Sequence, residues 1–207
     1  NDQGTDNMSG KYINIPYHSR TLPGYMAEPL EGQNPGVVVI GAIFGVDDDI
    51  KAITDRLAAN GYPAIAPNMF WEDAEDTDVL PVSPEGSERG RGRAARVNRD
   101  AGVAYIAAAM ETLRASPRCN GKIALQGYCF GGPFMVQATA RLDVSAGFSC
   151  PTMALRLMVS PPPRVLLSKL SKVPLVPLPG LPGLPRPLPT EFGLPNGDAC
   201  GSRPWMP

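Results

Sequence analysis

The chain has 207 residues, a formal net charge of −1 and four cysteines, a length that buries one sizeable core and rarely two. Near-neutral charge, with no long single-sign block before residue 150, excludes the basic surface that a nucleic-acid groove or an anionic membrane requires. Cysteines at 119, 129, 150 and 200 make no CxxC pair and no zinc-ligand spacing, so free thiols in a reducing cytoplasm are expected rather than a disulfide scaffold. No apolar run reaches the roughly 18 to 20 residues of a membrane span, and the opening "NDQGTDNMSG" has neither a basic start nor an apolar signal core.

In chain order, residues 11–29, "KYINIPYHSRTLPGYMAEP", alternate β-formers with polar residues about a corner and predict a hairpin at a sheet edge. "GVVVIGAIFG" (36–45) is the near-continuous β-branched run of a strand buried on both faces. "DDDIKAITDRLAANG" (47–61) opens with acids, carries Ile50, Ile53, Leu57 and Ala58 at helical spacing, and stops at Asn60-Gly61. "YPAIAPNMF" (62–70) reads as the next strand, 71–92 as a polar loop, and "AARVNRDAGVAYIAAAMETLRAS" (94–116) as one amphipathic helix. "GKIALQG" (121–127) is a further strand, with a helix starting near Pro133. Alternating strands and helices predict an α/β fold: a parallel sheet with helices on both faces.

Past about residue 148 the composition changes. Residues 151–207 hold 14 of the 24 prolines and six basic residues against two acids, a net charge of about +4. Prolines every second or third position remove backbone donors, so 149–207 is expected to be an irregular tail appended to a 1–148 domain. Out-of-frame reading of GC-rich codons would yield this composition. A PxxP-type ligand for a protein partner is the alternative use of such a tail.

The chemistry concentrates at "GYCFGG" (127–132), where a strand ends, a cysteine sits between glycines, and a helix begins. In a G-x-nucleophile-x-G corner the nucleophile takes a strained conformation and small neighbours let strand and helix pass. A helix N-terminus also favours the thiolate that attacks. Cys129 is therefore the candidate nucleophile, against the plainer reading of a small packed residue. Main-chain N–H groups of Phe130 and of Ile43, in the loop after the first central strand, are the candidate oxyanion donors.

Together, "PGVVVIGAIFGVDDDIKAITDRLAANGYPAIAPNMFW" and "GKIALQGYCFGG" resemble the dienelactone hydrolase family of α/β-hydrolases over residues 10–148. The resemblance implies an α/β-hydrolase sheet that is incomplete at its C-terminal end. It also implies a cysteine nucleophile at Cys129, oxyanion donors at Ile43 and Phe130, and hydrolysis of a small-molecule ester or lactone without a cofactor or metal. The best-known members have a glutamate where this chain has Ala42. They also place an aspartate and then a histidine after the nucleophile. Here only Asp143, Glu191 and Asp198 are acidic beyond Cys129, and the sole histidine is His18. The alternative from another class is a non-catalytic remnant that binds a protein through its Pro-rich tail. An arginine from "ERGRGRAAR" (88–96) contacts the substrate acid in the family, which makes Arg89 and Arg91 candidates for a carboxylate clamp. Asp47, Asp48 and Asp49 read as helix-capping acids rather than a cation site. Phe44, Phe70, Trp71, Tyr128 and Phe130 serve equally as pocket wall or core.

Overall fold

The computed structural model describes residues 10–150. Its elements are β1 (Lys11–Tyr17), β2 (Arg20–Ala27), β3 (Asn34–Ile40), α1 (Asp48–Ala59), β4 (Ala64–Pro67), α2 (Pro84–Arg96), α3 (Arg99–Arg114), β5 (Cys119–Tyr128), α4 (Gly131–Arg141) and β6 (Ala146–Cys150). The readings of an irregular, out-of-frame or partner-binding tail fall on 149–207, of which Ser149 and Cys150 end β6 and the rest lie outside the described residues.

The six strands form one sheet in the order β1-β2-β4-β3-β5-β6. β3 runs parallel to β4 and β5, and β5 parallel to β6. β2 meets both β1 and β4 antiparallel, so the sheet is mixed and mostly parallel. The hairpin turns at exposed His18 and Ser19 and puts β1 at the edge, as its alternation predicts.

Both faces are covered, which is why β3 reads as an unbroken apolar run. Val38 and Ile40 join Ile65, Ile106, Leu113 and Phe134 in the larger core under α3 and α4. Val37 and Val39 point the other way and pack with Ile50 and Leu57 of α1. Fully burying such a side chain contributes roughly 1.5–3 kcal/mol. Asp47 caps α1 by accepting from the Ile50 N–H at 3.0 Å, the capping role expected of it.

One expectation fails. The polar stretch ending at Gly92, followed by a single helix, is instead two helices with a break at Val97 and Asn98. α2 starts early because Ser83 accepts from the Gly86 N–H at 3.0 Å and Pro84 occupies the first turn, a start signal strong enough to offset its glycines. Asn98 then caps α3 through the N–H groups of Asp100 and Ala101.

Candidate active site

The β3–β5 register sets Val38 beside Leu125 and Ile40 beside Gly127. The two loops that leave the carboxyl ends of these strands therefore emerge side by side, where open α/β sheets place their ligands. One loop carries Ile43 and the other Cys129.

Cys129 lies between β5 and α4 with φ of 49°. A non-glycine residue in this left-handed region costs about 1–2 kcal/mol. The neighbours impose the bend. A Cβ on Gly127 would stand 2.7 Å from the Gly131 carbonyl oxygen, and one on Gly131 would stand 2.2 Å from the Ile40 carbonyl oxygen. Strand and helix thus meet backbone to backbone, leaving no room for side chains at either position. The Cys129 carbonyl accepts from the Gly132 N–H at 3.1 Å, closing the turn. Cys129 is half-buried while Cys119 is buried, and neither is in a disulfide.

The facing loop holds its carbonyls firmly. Ala42 accepts from the Gly45 N–H at 3.3 Å and Phe44 from the Leu80 N–H at 3.0 Å. Ile43 accepts twice from Arg93, from Nε at 3.1 Å and Nη2 at 2.8 Å. Among the described residues, no acceptor takes the main-chain N–H of Ile43 or of Phe130.

Arg93 is fully buried and sequence reading missed it. Its Nη1 donates to the Asp78 carbonyl at 2.5 Å, and the guanidinium lies 4.0 Å above the Phe70 ring. Phe70 in turn packs on Phe130 at 4.9 Å between ring centres. Burial pulls Arg93 below the ordinary guanidinium value, against the opposing pull of Asp76 and Asp73.

Arg89 and Arg91, the alternative candidates for a carboxylate contact, both lie on α2. Arg89 binds Asp76 at 2.9 Å, and Arg91 is exposed elsewhere on α2. Arg96 bonds Asp73 at 2.8 Å. Arg89, Arg93 and Arg96 fall on one face of α2 and tie down 73–78, and this spacing was the available signal. His18 stands on the exposed β1–β2 turn against Tyr17. A separate cleft of about 330 Å³ includes Phe70, Glu72, Asp73, Arg96 and Tyr105 but not Cys129. Its charges are internally matched, Arg96 with Asp73 and Glu72 with Tyr105 and Arg20. The described residues include no group of three metal-ligating side chains and no helix long and apolar enough to cross a membrane.

A mostly parallel sheet with a strained residue at a strand–helix corner defines an α/β-hydrolase architecture. The chain belongs to the dienelactone hydrolase family, whose model matches residues 22–176. It is 30% identical to carboxymethylenebutenolidase 1 of Cupriavidus pinatubonensis over 126 residues, covering 60% of this chain and 54% of the relative. It is 29% identical to the carboxymethylenebutenolidase of Pseudomonas putida over 134 residues, 64% and 57% of the two chains. The solved structure named m3DLH matches with a TM-score of 0.58 at 26% identity, covering 69% of this chain and 59% of that one. The chain therefore spans about half the length of the relatives it matches.

Proposed function

We propose that this chain carries the nucleophile half of a hydrolase of carboxylic esters or lactones, with Cys129 as nucleophile and the N–H groups of Ile43 and Phe130 as oxyanion donors. The observation that carries this reading is the left-handed backbone of Cys129 between two glycines that admit no Cβ. Backbone strain of this kind concentrates where a side chain must be aimed. The lactone class is supported by the relatives, whose names are carboxymethylenebutenolidase.

In the proposed reaction the Cys129 thiolate attacks the carbonyl carbon, forming a C–S bond while the π electrons move to oxygen. The two N–H groups hold that oxyanion. Its collapse breaks the C–O bond, and the alkoxide takes a proton from water, remaining tethered when the substrate is a lactone. Water then attacks the thioester and releases acid and thiol. Within these 207 residues the one histidine is His18, and it sits on the exposed hairpin turn. Acylation by a thiolate needs no base, whereas deacylation needs an activated water. An activated aryl ester is therefore expected to give a stoichiometric burst followed by slow turnover. For a carboxylate-bearing substrate, Arg91 is the better of the two proposed contacts, because Arg89 already holds Asp76.

Iodoacetamide labelling of the full chain, read by mass spectrometry against pH, tests the nucleophile. Cys129 is expected to alkylate well ahead of buried Cys119 at neutral pH. Equal or slower labelling of Cys129 would remove the basis of the reading.

A further inference from the structure

We infer that Arg93 is a positioning residue for the oxyanion hole, holding the carbonyl of Ile43 directly and the ring of Phe130 through Phe70. The inference rests on the nucleophile reading above and adds to it a side chain that touches neither thiol nor substrate.

The geometry uses what distinguishes arginine, a rigid planar fork of five donors. Nε and Nη2 converge on one oxygen, the Ile43 carbonyl, at 3.1 and 2.8 Å. Nη1 reaches the opposite way to the carbonyls of Asp78 at 2.5 Å and Asp76 at 3.4 Å. The central guanidinium carbon stands 4.0 Å over the Phe70 ring, and Phe70 packs on Phe130. One fully buried cation therefore contacts the first oxyanion loop directly and reaches the second through a single ring. α2 also crowds Ile43 one turn earlier, where a Cβ on Gly90 would stand 2.9 Å from the same carbonyl oxygen.

An oxyanion hole works because its donors are already oriented when charge develops, so no reorganisation is needed at that moment. Without an anchor on its carbonyl, the peptide beyond Ile43 could rotate and present a negative oxygen where the oxyanion forms. Two charge-assisted hydrogen bonds in a dry site fix that oxygen away. A fold that needed only a spacer here would not have to bury a guanidinium.

Arg93→Lys keeps the charge and loses the fork, and two rates measured on the full chain isolate the effect. Acylation of Cys129 by p-nitrophenyl acetate builds an oxyanion, whereas alkylation by iodoacetamide displaces iodide and builds none. Acylation is expected to slow by about 10²-fold, with the half-saturating ester concentration and the alkylation rate each held within about twofold. Parallel loss of both rates, or unchanged acylation, overturns the inference. If Arg93→Lys does not fold, Gly90→Ala displaces the same peptide with Arg93 intact and must give the same split; unchanged acylation or parallel loss in Gly90→Ala overturns it equally. A wild-type chain that alkylates at Cys129 but is never acylated sinks the hydrolase reading and this inference with it. A wild-type chain that acylates as fast as its variants sinks the inference alone.

Discussion

The two sides of the candidate oxyanion hole are built by opposite means. The Phe130 side is set by absence: Gly127 and Gly131 bring main chain against main chain, and the left-handed turn at Cys129 follows. The Ile43 side is set by presence, since a buried arginine from a distant helix grips the loop. The first kind of device is local and visible in six consecutive residues. The second depends on Arg93, 50 residues away from the loop it holds.

Substitution at the first side is expected to have the largest effect. Gly131→Ala drives a methyl to 2.2 Å from the Ile40 carbonyl oxygen, a main-chain atom that cannot step aside. A loss of at least about 3 kcal/mol is expected in urea unfolding. A near-neutral result would mean that strand and helix are not in the contact described.

On the Ile43 side, Arg93→Met leaves several carbonyls without charged donors and is expected to cost about 3 kcal/mol. Thermal melting should place it close behind Gly131→Ala. A cost under about 1 kcal/mol would show that the cation does not hold the loop.

Cys129→Gly sharpens the comparison from the other direction. Glycine adopts the left-handed region freely, so this variant is expected to gain about 1 kcal/mol of stability while losing thiol labelling at this position. Destabilisation would indicate that the corner stores no strain.

The smallest effect concerns the ion pairs that α2 makes with Asp73 and Asp76. Arg96 holds the Asp73 carboxyl below its ordinary value, and Arg89 does the same for Asp76. A lowered carboxylate contributes stability that is present above its unfolded value, near pH 4, and is lost as pH falls through the folded one. Asp73→Asn with Asp76→Asn is expected to flatten the acid limb of a stability profile below about pH 4 and to leave the alkaline limb alone. An unchanged acid limb would mean these pairs contribute nothing.

Much of the fold was legible because its signals are short-range. β3 announces two-sided burial by its Val-Val-Val-Ile run, and α1 its ends by Asp47 and by Asn60-Gly61. α2 was hidden because three glycines and its many charges resemble a solvated loop, and only the Ser83-Pro84 start betrays it. The antiparallel β2–β4 pairing is a long-range choice with no local mark. At the site, Cys129 stood out through its glycines, whereas Arg93 looked like one more member of a basic run. Only its spacing with Arg89 and Arg96, set against Asp73 and Asp76, separates it from exposed Arg91.

The central claim is that Cys129 is an elbow nucleophile facing two oriented main-chain donors. Its most direct test is peptide mass spectrometry of the full chain after brief exposure to p-nitrophenyl acetate. The expected result is an acetyl adduct on Cys129, formed in step with the p-nitrophenolate burst and abolished in Cys129→Ala. An adduct spread over Cys119 and the lysines, or a burst that survives Cys129→Ala, would contradict it.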